Sequence, residues 1–161
     1  MSNMPRFEPK NPDYREIATD TFERQIAMRT LGISIARLEP GEVDLAMAYS
    51  PDLTQQNGFV HAGIITAGLD SACGIAAFTL MPVGSDILTV EFKTNLLAPA
   101  RGERFAFRAT VIKPGRTLTV CEARAYATQD GCETLIATMS GTLMALAARK
   151  GAANGRAGVP A

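Results

Sequence analysis

Between Asp52 and Asp86 the chain carries a single full charge, Asp70. Around it, residues 55–81 read QQNGFVHAGIITAGLDSACGIAAFTLM: a Gly-containing loop, the chain's one histidine at His61, then almost unbroken apolar and small side chains. A carboxylate buried unpaired in such a run costs several kcal/mol, so this stretch restricts the fold more than any other. It is long enough to cross a bilayer, but Asp70 and the glycines at 63, 68 and 74 argue against lipid. The better reading is a helix inside a globular core.

On a wheel of 3.6 residues per turn, Asp70 is surrounded by Gly63, Thr66, Ala67, Cys73, Gly74 and Ala77, all small. Ile64, Ile65, Leu69, Ala72 and Ile75 lie opposite, a face suited to packing on a sheet. Small residues admit close approach by another backbone or a slim ligand, so the acid is expected in a shallow groove. The first backbone N–H groups of this helix, near Ala62 and Gly63, have no intrahelical acceptor and sit at the positive end of the macrodipole. Such an end binds an anion, or the oxyanion that develops in acyl transfer. Asp70 lies eight residues beyond Ala62, about 12 Å along the axis. A carboxylate and an oxyanion donor serving one carbonyl must both lie within roughly 3 Å of it. One helix cannot supply both, whereas two antiparallel copies about a two-fold axis can.

At 161 residues, 47% hydrophobic and 20% charged, the chain predicts one ordinary globular domain. A formal net charge of zero gives no footprint for nucleic acid or an anionic membrane. Three cysteines without a CxxC pair make no disulfide framework, and the polar start MSNMPRFEPKNPD has no signal-peptide core; a reducing cytoplasm is expected. Residues 1–12 read as a loose arm and 13–146 as the folded domain, with an Ala/Gly/Arg tail, 147–161, expected to be disordered. Apolar residues at i, i+4 predict a helix over 13–30. Strands are predicted at 33–38, 43–49, 87–97, 103–112, 117–128 and 132–146. Pro40-Gly41, Pro114-Gly115 and Asp130-Gly131 mark tight turns between them. Leu88, Val90, Phe92 and Thr94 alternate with Thr89, Glu91, Lys93 and Asn95. The result is an α+β fold of about six mostly antiparallel strands curled around one long helix.

Gln55, the run Asn57-Gly58-Phe59-Val60-His61-Ala62-Gly63, Asp70, and the segments Leu88–Phe92 and Leu96–Gly102 resemble the hotdog fold, specifically acyl-CoA thioesterases of the phenylacetic-acid-degradation type. The resemblance covers residues 32–146. Ala62 replaces the family's first glycine after the histidine but keeps its N–H, and Gln55 stands where many members have asparagine. By this resemblance the backbone N–H of Ala62 polarises the thioester carbonyl and Gln55 orients the attacking water. Asp70 of the partner chain serves as general base or nucleophile, with the Thr89 hydroxyl beside it. Asn57, Gly63 and Arg116 fall on the substrate-binding side, Arg116 towards the phosphates of coenzyme A. No cofactor is implied, since coenzyme A enters as part of the substrate. The partner implied is a second copy of the chain, in a dimer with shared sites that can pair into a tetramer.

Plainer readings stand beside these. Asp70 could be paired structurally across a dimer or sit in a solvated notch, though its isolation on a small, neutral face favours chemistry. His61 has no local nucleophile or orienter for a triad and reads as shaping the helix start ahead of serving as an imidazole catalyst. One histidine and no Cys/His cluster make a metal site improbable. Cys73 has no nearby cation in sequence to activate it and reads as packing. Gln55 could be a loop amide, Thr89 an ordinary strand residue and Arg116 a solvated turn residue. Phe59, Phe78 and Met81 suit an aromatic or medium acyl group. A hotdog hydratase or dehydratase would need a different spacing of histidine and acid, and an acyl-CoA-binding sensor would need a DNA-binding segment.

Overall fold

The computed structural model describes residues 7–147; the expected extremes of the arm and tail lie outside them. Helices α1 (Tyr14–Glu23) and α2 (Ile26–Thr30) precede strands β1 (Ile33–Glu39) and β2 (Glu42–Ala48). A 3-10 turn at Pro51–Leu53 leads to α3 (Ala62–Phe78), and β3 (Asp86–Leu96), β4 (Arg104–Lys113), β5 (Leu118–Gln129) and β6 (Cys132–Leu146) follow. The strands form one sheet in the order β1-β2-β4-β5-β6-β3, and every pair is antiparallel.

α3 touches all six strands. Six strands laid flat at about 4.8 Å spacing would span about 24 Å, more than a helix about 10 Å across can reach. The sheet therefore curls around α3, the hotdog arrangement. Short side chains make the embrace close. Ala109, Ala123, Ala125, Ala127 and Ala137 are buried on the concave side, and a Cβ placed on Gly68 would sit 2.6 Å from the ring of Phe107.

The structure departs from the sequence reading in four places. The helix expected over 13–30 breaks at Arg24–Gln25, where Gln25 turns extended and its side chain accepts a hydrogen bond from Ser71 of α3 at 2.9 Å. The break lets both Phe22 and Met28 reach the core. Second, a bulge between Thr89 and Glu91 shifts the β3–β6 register. An extra residue reverses the alternation beyond it, so Thr89, opposite buried Leu143, shares the concave face with Phe92, opposite buried Gly141. Third, Cys73 and Ala77, assigned by the wheel to the open groove, are buried, because a curled sheet covers more than one side of its helix. Finally, Phe7 to Pro12 do not hang free: Phe7 packs on the core and Asn11 is buried, its Oδ1 accepting from the Asp13 N–H at 3.0 Å.

Candidate active site

Asp70 sits in mid-helix, half-buried, and its Oδ1 accepts a hydrogen bond from Thr89 Oγ1 at 2.8 Å. The bulge in β3 is what turns Thr89 towards it. Burial pushes the Asp70 carboxyl above its ordinary value, and the Thr89 hydrogen bond partly offsets that. Oδ2 has no partner among the described residues. The face beyond is open: one turn on, a Cβ built at Gly74 would meet nothing within 4 Å. Cys73, the neighbouring candidate nucleophile, has its thiol pushed up by the Cys121 thiol and by burial. It stays neutral and unreactive.

The start of α3 is built by His61. Its backbone is extended and its Nδ1 accepts from the Gly63 N–H at 2.9 Å, an imidazole acting as N-cap. The His61 carbonyl accepts from Ile64 at 2.9 Å and Ile65 at 3.3 Å. Gly63, expected as a second free donor, is therefore already used, and Ala62 keeps the one unpaired N–H of these four among the described residues. Gln55 closes the preceding turn. Its Oε1 accepts from the Asn57 N–H, its carbonyl accepts from Gly58 at 3.0 Å, and its N–H donates to Phe59 at 2.8 Å. Gly58 turns the chain at φ +81°, a left-handed angle glycine adopts without strain. The side-chain amide NH2 of Gln55 remains to donate, whereas the N–H of exposed Asn57 is spent on the turn.

The candidates thus fall into two groups. Gln55 and Ala62 line a cleft of about 490 Å3 whose walls include Phe59, Ile65, Leu97 and Ile136. Asp70 and Thr89 form the other group, about 12 Å further along the same unbroken helix. Arg116 lies exposed in the β4–β5 turn, at the sheet end that carries Thr89, and makes no described contact. Phe59 and the pair Phe78 and Met81, grouped by the sequence reading around one acyl group, are separated by the length of α3. Phe78 and Met81 line a second cleft, with Tyr14, Ile17 and Thr21 of α1. The share of α1 in that wall escaped the sequence reading, because the visible i, i+4 stripe turns Ala18 and Phe22 into the core and only Tyr14 of it reaches the cleft.

Among the described residues, no group of three or more His, Cys, Asp or Glu could hold a metal ion, and no helix is long and apolar enough to cross a membrane. The family model for the thioesterase superfamily matches residues 57–134, the span from the Asn57 turn to the start of β6. A "Putative esterase" of Saccharolobus solfataricus is 34% identical over 112 residues, 70% of this chain and 72% of the relative. The medium/long-chain acyl-CoA thioesterase YigI of Escherichia coli is 26% identical over 113 residues, 61% of this chain and 73% of that protein. A solved thioesterase family protein from Silicibacter pomeroyi superposes with a TM-score of 0.83 at 60% identity, covering 83% of this chain and 98% of that one. With the curled sheet, the central helix and the matched motif in agreement, the chain belongs to the thioesterase superfamily and is a thioester hydrolase.

Proposed function

We propose that the chain hydrolyses acyl-CoA thioesters to a carboxylic acid and coenzyme A, as a member of the phenylacetic-acid-degradation type, in a two-fold dimer whose subunits share each site. The observation that carries this reading is Asp70: half-buried, one oxygen held by Thr89, the other free, on a helix whose own tip offers the unpaired Ala62 N–H. The two groups belong to one reaction but lie too far apart within a chain, and an antiparallel second α3 would bring them together. Strand β3 supports that partner. It ends the sheet, and Leu88, Val90, Phe92 and Leu96 are 54%, 52%, 44% and 59% exposed, an apolar edge that a lone subunit would leave open to aggregation.

In this arrangement the partner's Ala62 N–H receives the thioester oxygen as negative charge builds on it, and Gln55 donates to the water. As general base, the free oxygen of Asp70 takes a proton from that water while the hydroxide attacks the carbonyl carbon. The C–S bond then breaks, and the proton passes to the departing thiolate. As nucleophile, Asp70 instead bonds the carbonyl carbon, expels the thiolate and forms a mixed anhydride, which water opens at the Asp70 carboxyl carbon so that the bridging oxygen leaves with the acid. Single turnover in 18O-water separates the two, because only the second route puts an Asp70 oxygen into the acid. The apolar cleft beside Ala62 suits the acyl group. A cytoplasmic setting fits the substrate and the three unpaired cysteines. No observation favours a hydratase, since His61 Nδ1 is occupied as a cap. The test is thiol release across a panel of acyl-CoAs; no release from any member would sink the proposal.

A further inference from the structure

The turn of α3 that carries Asp70 is gripped from two sides. On the sheet side Thr89 of β3 holds Oδ1. Cys73, about 60° round the helix from Asp70, faces β6, where a Cβ added to Gly141 would lie 4.0 Å from its Sγ. On the other side Ser71, about 100° round in the opposite sense, donates its hydroxyl to the Gln25 side chain at 2.9 Å. Both partners of that bond are half-buried. Gln25 is itself pinned: its N–H donates to the Phe22 carbonyl at 2.9 Å and its carbonyl accepts from Met28 at 3.0 Å. Phe22 and Met28 both belong to the core. Gln25 forms the corner between α1 and α2, outside the span of residues 57–134 that the family model matches.

Such a helix gains from a brace. Its open face beside Asp70 consists of small residues, Gly63, Ala67 and Gly74 among them, which form no ridge to interlock with a neighbour and oppose rotation. A rotation of about 10° moves a group about 5 Å from the axis by about 1 Å. A misplacement of that size costs up to about 10²-fold in rate. It would also carry Oδ1 off the Thr89 hydroxyl.

We propose that Gln25 and Ser71 are positioning residues for the hydrolysis: their hydrogen bond fixes the rotation of α3 and so holds Asp70 on Thr89. The inference rests on the reading of Asp70 above as the carboxylate of the reaction. The α1–α2 corner is thus a strut for the site and not merely a cover for the sheet.

Ser71→Ala and Gln25→Met are expected to lower kcat about fivefold and to change KM less than about twofold, since a misplaced base is felt in the transition state. The acid limb of the pH–rate profile should move to higher pH in both, because the Thr89 bond that holds the carboxyl down is weakened. Other groups leave the limb alone. Glu91 and Lys93 of β3 pair with Thr142 and Ser140 on the outer face of the sheet, and the Cys73 thiol stays neutral. Added to Thr89→Val, Ser71→Ala should shift the limb no further, whereas independent effects would add. Ser71→Thr, which keeps the hydroxyl, should restore rate and limb. Alanine suits a helix interior, so Ser71→Ala folds. Wild-type kcat and limb in either variant, whatever its melting temperature, would overturn the proposal. So would a shift that adds to that of Thr89→Val, or a Ser71→Thr protein as slow as Ser71→Ala. Wild-type protein that releases no thiol, or Asp70→Asn that releases it normally, would instead defeat the reading of Asp70, so the two failures are distinct.

Discussion

A carboxylate held half in the protein trades stability for reactivity, and Asp70 shows the sign of that trade. Its folded pKa is raised from 3.8, chiefly by burial. The protonated acid therefore favours the fold fully below about 3.8, and this contribution is lost as pH rises through the raised folded value. At neutral pH the ionised form is a burden, so Asp70→Asn should melt no lower than wild type at pH 7, with the difference closing towards pH 4. Thiol release should meanwhile fall by about 10²- to 10⁴-fold, the usual weight of a positioned base. An active, less stable Asp70→Asn protein would contradict both halves. Thr89 pulls the other way, holding the carboxyl down. Thr89→Val should move the acid limb of the pH–rate profile to higher pH and lower kcat/KM about tenfold, the scale of one charge-assisted hydrogen bond. An unmoved limb would make Thr89 a bystander. The isolation of Asp70 was legible from residue types alone. That His61 would spend its Nδ1 on Gly63 was not, because a cap depends on the backbone angles at the helix start.

The same helix carries two glycines whose missing side chains serve opposite ends. Gly68 lets α3 press on Phe107, a ring without exposure, so Gly68→Ala should cost about 1–3 kcal/mol by overpacking. Gly74 faces open space, and Gly74→Ala should gain up to about 1 kcal/mol of helix propensity. Urea denaturation of the pair checks the contrast, and the same sign for both would refute it. At this scale the sequence was informative where periodicity is strong. The start of α3 and the spans of the six strands follow from uninterrupted apolar patterns and from the turns at Gly41 and Gly131, both at positive φ, whereas the apolar run to Met81 did not mark the end of α3 at Phe78. It was silent where tertiary contact decides. The bulge at Val90 follows from pairing with β6, the break at Gln25 follows the contour of the core and the bond to Ser71, and the burial of Cys73 follows from how far the sheet wraps. A helical wheel shows which residues share a side, not how many sides will be covered.

Whether one chain suffices can be decided without a structure of the assembly. Ala62 is the first residue of α3, and His61 before it has φ −60° and ψ 138°, angles that a following proline prefers. Proline at a helix's first position keeps the helix while removing the N–H. Ala62→Pro should therefore stay folded and lose the oxyanion donor, just as Asp70→Asn loses the carboxylate. Each variant alone is expected to be inactive. If every site takes its carboxylate from one subunit and its donor from the other, a mixed dimer holds one site with both defects and one with neither. Half of the dimers in an equal mixture are mixed, so unfolding and refolding the two variants together should restore about a quarter of wild-type activity. A protein that completes its site within one chain would recover nothing, because every site would still carry one of the two defects. Recovery should appear only after subunits exchange, so mixing the folded variants without exchange serves as the control. The distance along α3 becomes a measured yield in this way, and the open edge of β3 predicts where the exchanged subunits must meet: a charge placed at Phe92, 44% exposed and outside the acyl cleft, should abolish the recovery while leaving each monomer's core intact.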